Sequence, residues 1–230
     1  MEGITDAPYR KGLLKLFPEW DRYSTDFLRI PSQGVYKSKK ILEHFGADLY
    51  HDKIHRQKTT FQILTSSQAQ NEQTLKQIEK LNFSHLDLNL GCPSKKVNAH
   101  CGGSYLLDHL NVLEKILLDL RANFSGVLTA KIRTGFNDTS KFEDIIKLIN
   151  DCHFDAITLH GRTRIQLYKG KADWDYIARA VQISSIPIIG NGDIWNLFDI
   201  ENMFQRTECH SVMVARGALK TPWLSRLYSD

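Results

Sequence analysis

Short apolar runs alternate with longer amphipathic segments along this chain. The runs lie at residues 61–64, 85–90, 127–133, 156–160, 187–190 and 211–215, with a further one at 21–28. Between them, helical periodicity marks residues 71–81, 106–121, 141–151, 174–181 and 194–204. Strand starts are about 25 to 40 residues apart, the size of one strand–helix unit. Regular alternation of this kind implies a parallel sheet with helices outside it. Seven such runs predict an α/β fold of the (β/α)8 TIM-barrel type lacking one strand. A doubly wound open sheet is the structural alternative, but no G-x-G-x-x-G turn supports its dinucleotide-binding form.

The 230 residues are enough for one large domain, and 42% hydrophobic with 24% charged residues is ordinary for a globular chain. No apolar run approaches the ~18 residues of a membrane span, and no secretory signal is visible. Cys92, Cys101, Cys152 and Cys209 lack C-x-x-C spacing, which argues against a zinc site and a disulfide framework. We expect a cytoplasmic monomer without metal or membrane attachment. A net charge of +4 is compatible with a polyanionic partner without requiring one. Residues 33–58 are the least regular stretch, a basic excursion containing a helix, whose cations suit either a polyanion or a solvated face.

The segment Leu86-Asp87-Leu88-Asn89-Leu90-Gly91-Cys92-Pro93-Ser94-Lys95 reads as a buried strand that stops abruptly. It delivers Cys92 to a strand end, with Lys95 and Lys96 close behind. A buried structural cysteine fits that segment equally well when it is taken alone. Barrel enzymes place their chemistry at the C-terminal strand ends. The polar residues expected there are Gln62, Asn89 with Cys92, Lys131 with Arg133, His160 with Arg162, Asn191 with Asp193, and Arg216. Six such ends favour a polar ligand site. The turn Gly190-Asn191-Gly192-Asp193, expected to open a helix, and Arg216-Gly217-Ala218 suit a phosphate. Lys131 suits the negative charge of a reduced flavin ring, and Gln62 and Asn89 suit the imide edges of a ring.

Together these segments resemble the tRNA-dihydrouridine synthase family. The resemblance is carried by Met1-Glu2-Gly3-Ile4-Thr5-Asp6, the Cys92 segment, Cys101-Gly102-Gly103-Ser104-Tyr105-Leu106-Leu107 and Ala130-Lys131-Ile132-Arg133-Thr134-Gly135. Leu159-His160-Gly161-Arg162-Thr163, Gly190-Asn191-Gly192-Asp193 and Ala215-Arg216-Gly217-Ala218 complete it, in the family's order. It implies an FMN-binding barrel, NADPH as reductant and tRNA as partner. It implies FMN contacts at Met1, Glu2, Gln62, Lys131, His160, Asn191, Gly192, Asp193, Ala215 and Arg216, with Cys92 as proton donor. The stretch Thr25-Asp26-Phe27-Leu28-Arg29 resembles the C-type bacterial subgroup, whose target is uridine 16. On that reading Arg29, Asn89, Lys95 and Arg133 face the RNA, and the loop at residues 94–104 closes over the substrate. The family has a strand before the Met1 segment and a helical tRNA-binding domain after the last one. Residues 1–230 are therefore expected to be the catalytic barrel without its first strand and without that domain.

Two other readings compete. One is an FMN barrel acting on a free pyrimidine, as dihydroorotate dehydrogenases do; turnover without RNA would favour it. The other is a non-catalytic tRNA-binding module, which a colourless protein that still binds tRNA would favour.

Overall fold

The computed structural model describes residues 3–229. Eight strand segments are present: β1 (Tyr23–Ser24), β2 (Leu28–Arg29), β3 (Thr59–Leu64), β4 (His85–Asn89), β5 (Val127–Arg133), β6 (Ala156–His160), β7 (Ile188–Asn191) and β8 (Ser211–Met213). All pairings are parallel; β1 and β2 both pair with β3, and the order then runs in sequence to β8. Three residues separate Ser24 from Leu28, whereas two separate their partners Thr60 and Ile63. β1 and β2 are thus one strand interrupted by a bulge. The buried Thr25 spans the interruption: its amide donates to Thr60 O and its hydroxyl accepts from the Gln62 amide at 2.9 Å.

Seven strand positions, each at its expected place in the sequence, bear out the barrel reading. Among the described residues β1 and β8 do not pair, so the sheet has an open seam. The segments flanking that seam meet. Trp20 Nε1 donates to Pro222 O at 2.9 Å, Arg226 pairs with Glu19 at 2.7 Å, and Phe17 lies 6.4 Å from Trp223.

The pleat sorts the side chains. Phe61, Ile63, Leu86, Leu88, Leu128, Ala130, Ile132, Ile157 and Leu159 all turn outward and are fully buried. They pack against helices Asn71–Lys80, Leu110–Ala122, Phe142–Asp151, Asp175–Ile183 and Leu197–Thr207. Each leucine, isoleucine and phenylalanine among them contributes roughly 1.5–3 kcal/mol of apolar burial. The alternate positions turn inward and are mostly polar, which places the chemistry on the other face of the same strands. The stretch at residues 33–58 forms three short helices, with Ile41, Phe45 and Leu49 buried. One of its cations is structural, since Lys58 Nζ donates to Pro18 O and Trp20 O. No helix among the described residues is long and apolar enough to cross a membrane.

Candidate functional site

Inward residues of neighbouring strands stand side by side in register: Gln62 beside Asp87, Asn89 beside Lys131, Arg133 beside His160, and His160 beside Asn191. They form a connected polar floor. Gln62 Nε2 donates to Asp87 Oδ2 at 2.7 Å, and Asn89 Nδ2 donates to Gln62 Oε1 at 2.8 Å. Thr129 Oγ1 donates to Asp87 Oδ1 at 2.7 Å. Lys131 Nζ donates to Asn191 Oδ1 at 2.9 Å, and Asn191 Nδ2 to Met213 O at 2.7 Å, tying β5, β7 and β8 together. Burial holds the Asp87 carboxyl above the usual range and the Lys131 ammonium below it, and the attraction between them opposes both shifts.

At one rim, the Asn89 side chain caps the turn after β4. Its Oδ1 accepts from the amides of Gly91 at 3.1 Å and Cys92 at 3.0 Å. Cys92 is half-buried, and no described cysteine is in a disulfide. The following segment has regular structure. It contains the helix Lys95–Ala99, on which Lys95 and Lys96 are exposed, and the 3₁₀ turn Gly103–Asp108. Asn98 Oδ1 accepts from Tyr105 N, and the Ser104 hydroxyl is shared between Asn98 Oδ1 and Cys92 O. Gly102 pairs with Ser66 so closely that a Cβ on it would lie 2.7 Å from Thr65 O. Cys101 hydrogen-bonds the Tyr105 phenol, holding its pKa above the ordinary value.

The opposite rim is cationic. Arg162 is 2% exposed and donates to Gly170 O at 2.6 Å, to Lys169 O at 3.2 Å and to Asp193 Oδ2 at 2.5 Å. Asp193 also pairs with Arg216 at 3.3 Å. The Arg216 guanidinium lies 4.4 Å from the Tyr168 ring centroid and 4.9 Å from that of Trp195. Gly192 sits at φ +119°, and a Cβ there would lie 2.8 Å from both His160 Cδ2 and Ala172 Cβ. Only glycine lets the backbone through this gap.

Several expectations need adjusting. Arg133, expected to face the RNA, is 3% exposed and donates to the carbonyls of Gly91, Thr163 and Leu167. It fastens the loop after β4 to the loop after β6. Asn89 is likewise committed to Gln62 and the Cys92 turn. The turn at Asp193 does not open a helix directly. The next helix, Leu197–Thr207, has its first amides occupied by a capping box of Asn196 and Asp199. Any phosphate at this rim relies on Arg216 and the loop. Arg29 is half-buried at the end of β2, beside Leu64, and Ala215 is half-buried immediately before the short helix Arg216–Lys220. Met1 and Glu2 lie outside the described residues. Asp87, Thr129, Tyr168 and Trp195 escaped the sequence reading. Asp87 carried a signal, since it shares the inward parity of Asn89 within a leucine-alternating strand. Tyr168 and Trp195 are loop residues without periodicity.

His160 is 7% exposed, and burial, reinforced by Lys131, Arg133, Arg162 and Arg216, pushes its pKa down to about 2. Burial pushes His55 and His85 down to about 4. Unfolded, each titrates near its ordinary value, so below that value protons favour the unfolded chain and stability falls as pH drops. For His160 the loss at pH 5 relative to pH 7 is about 2 kcal/mol. Urea melts should show His160→Asn losing about that much less than the parent between these pH values. Equal losses in the two proteins would refute the assignment of His160 as a neutral buried group.

The family described as Dihydrouridine synthase (Dus) matches residues 1–230. The tRNA-dihydrouridine(16) synthase of Shewanella oneidensis is 31% identical over 230 residues, 98% of this chain and 72% of that protein. The tRNA-dihydrouridine synthase B of Escherichia coli K12 is 39% identical over 142 residues, 61% of this chain and 44% of that protein. Against the second relative the match thus spans less than half of the protein's length. The solved histamine dehydrogenase of Rhizobium sp. 4-9 superposes with a TM-score of 0.73 at 11% identity, over 99% of this chain and 44% of that one, a likeness of fold. With its motifs in order along an open parallel barrel, this chain belongs to the dihydrouridine synthase family.

Proposed function

We propose that this chain carries the FMN-dependent catalytic site of an enzyme that reduces a uridine of tRNA to 5,6-dihydrouridine, with NADPH as electron source. The observation that carries this reading is the convergence of three groups on one end of the sheet. These are Cys92 on its Asn89-capped turn, the Lys131 ammonium on the floor, and the Arg162–Asp193–Arg216 corner.

The residues fit FMN. Lys131, Arg133, Arg162 and Arg216 face two carboxylates, Asp87 and Asp193, while His160 stays neutral. The site therefore carries excess positive charge, which suits a phosphate of about −1.5 to −2. Gln62 keeps one N–H and one lone pair beyond its two bonds, and Lys131 keeps two N–H groups, as an imide edge requires. Gly192 leaves room for close backbone approach.

FMN, held by Gln62, Lys131 and Arg216, would supply a hydride for uracil C6, with NADPH as the source of the electrons. The Cys92 thiol donates the proton to C5, so the C5=C6 bond becomes two C–H bonds and the thiolate recovers its proton from water. Asn89 holds the turn that aims Cys92, and Lys131 stabilises negative charge at the floor of the site. Arg216 pairs with phosphate. A uridine in folded tRNA must be splayed out to reach this depth. Lys95 and Lys96, exposed beside the Cys92 turn, are placed to meet its backbone. We read the target as uridine 16, on the Thr25–Arg29 segment and on the similarity of the whole chain to a relative whose name carries that position.

Arg216→Ala should weaken flavin retention by on the order of 1.5–3 kcal/mol, the value of a charge-assisted bond. Flavin absorbance after exhaustive dialysis checks this. Flavin content equal to that of the parent would refute the phosphate assignment.

A further inference from the structure

The hydrogen bonds of the site floor have a fixed direction, and it can be read atom by atom. The Gly91 and Cys92 amides only donate, so the Asn89 atom facing them is Oδ1. Its Nδ2 must then face Gln62, which answers with Oε1 and turns Nε2 toward Asp87. Flipping either amide would set donor against donor. From the other side, Thr129 has one hydroxyl hydrogen. It goes to Asp87 Oδ1 at 2.7 Å and not to the more distant Leu86 O at 3.4 Å. Thr129 Oγ1 therefore accepts from His85 Nε2 at 3.2 Å, and His85 Nδ1 accepts from the Thr60 hydroxyl at 3.2 Å. This requires a neutral His85, in keeping with its depressed pKa.

Both chains of donors end on one group. Asp87 is 4% exposed and accepts from two neutral partners. The charged group acting on it is Lys131 of β5. The other ionisable inward groups nearby are His85 on its own strand, Arg133 on β5 and His160 on β6, while β3 offers only Gln62 and Thr60. Burying a carboxylate this deeply costs several kcal/mol before any pairing. A neutral side chain would have filled the space without that cost.

We propose that Asp87 is a positioning residue of the site: it is the common acceptor that orients the Gln62–Asn89 chain and so the Cys92 turn, and its negative charge keeps Lys131 an ammonium. The proposal rests on the reading of the site given above. The Gln62 and Asn89 amides hold their orientation because the chain ends on a carboxylate. Lys131 resists the loss of its proton because Asp87, one inward position lower on the adjacent strand, is the negative charge that acts on it.

Two substitutions separate the roles. Asp87→Asn keeps both hydrogen bonds, with its Oδ1 toward Gln62 and its Nδ2 donating to Thr129, whose hydroxyl turns to Leu86 O; only the charge is lost. Asp87→Leu loses the charge and both bonds. Two readouts need neither flavin nor tRNA. One is the pH titration of Lys131 by NMR of 13Cε-labelled lysine, with the resonance assigned through Lys131→Met. The other is the rate of Cys92 alkylation by iodoacetamide in a Cys101→Ser background.

In Asp87→Asn the Lys131 midpoint should fall by at least about one pH unit, a tenfold change in its proton affinity. Cys92 alkylation in that variant should stay within about twofold of the parent, because the chain that positions it is intact. In Asp87→Leu the midpoint should also fall. There the alkylation rate should change by about tenfold or more, and dihydrouridine formation should drop by about 10²-fold, the scale of a misplaced reacting group. A Lys131 midpoint unmoved in Asp87→Asn overturns the charge role. A Cys92 rate unmoved in Asp87→Leu overturns the positioning role. If Asp87→Leu fails to fold by circular dichroism, Gln62→Leu cuts the same chain one link nearer Cys92 and must change the alkylation rate. A parent that binds flavin but never modifies tRNA would defeat the functional reading and leave both of these measurements standing.

Discussion

Replacing Cys92 by alanine is expected to slow dihydrouridine formation by roughly 10²–10⁴-fold, the usual contribution of a general acid. Reduction of the flavin by NADPH should be largely unaffected, because that step needs no proton from the thiol. The expectation comes from how the thiol is held. Cys92 sits on a turn whose amides are fixed by Asn89, and its carbonyl is fixed by Ser104. Proton donation needs a reach of about 2.6–3.2 Å or one bridging water, which only a rigidly placed group satisfies. Cys101 lies in the following segment, and its thiol is engaged with the Tyr105 phenol. Cys101→Ser should therefore alter the rate far less. Single-turnover reduction of unmodified tRNA by prereduced enzyme compares the two. A large loss in Cys101→Ser with near-parental Cys92→Ala would reverse the assignment.

Arg162→Met should destabilise the fold by on the order of 3–5 kcal/mol, the range found when one partner of a buried ion pair is removed. Three acceptors lose their donor at once: Asp193 Oδ2, Gly170 O and Lys169 O. Asp193 would keep only Arg216 and the Ala172 amide. Burial pulls the Asp193 pKa upward, but its bonds to Arg162 and Ala172 outweigh that and hold it below the ordinary value. Removing Arg162 should therefore raise it. Thermal melts read the stability, and limited proteolysis should find new cleavage between residues 163 and 172. A variant melting within about 1 kcal/mol of the parent, with no new cleavage, would show that Arg162 is not the keystone of that loop.

The strands and most site positions were legible because they obey periodicity. Leucine and isoleucine at alternate positions mark β4, β5 and β6, and glycine or proline marks their ends. The residues that close the site obey no period. Tyr168 lies on the loop after β6 and reaches Arg216 only in the folded chain. Arg133 read as a strand-end residue facing the RNA. It is buried because two loops fold over it and offer three carbonyls. The missed start of the helix Leu197–Thr207 has a local cause: Ile194 extends the helical pattern, but Asn196 with Asp199 caps it further on. Asp87 was visible in the strand, and only its shared parity with Asn89 marks it as an inward residue.

The bulge between β1 and β2 acts as a phase shift along a two-residue wave. Partners in register share a face, so Ser24 follows Thr60 and turns inward, and Leu28 follows Ile63 and turns outward. Counting in twos from Ser24 straight through residues 25–27 would reverse this, sending Leu28 into the site and Arg29 into the core, and the bulge absorbs the extra residue. The bulge therefore keeps a cation, not an aliphatic side chain, at the inner end of the strand beside Leu64. It is held by one hydroxyl, because Thr25 Oγ1 receives the Gln62 amide that the interrupted ladder leaves over. Deleting a single residue among Thr25, Asp26 and Phe27 would leave two residues on each strand between the paired positions, so the bulge would vanish while Arg29 kept its inward face.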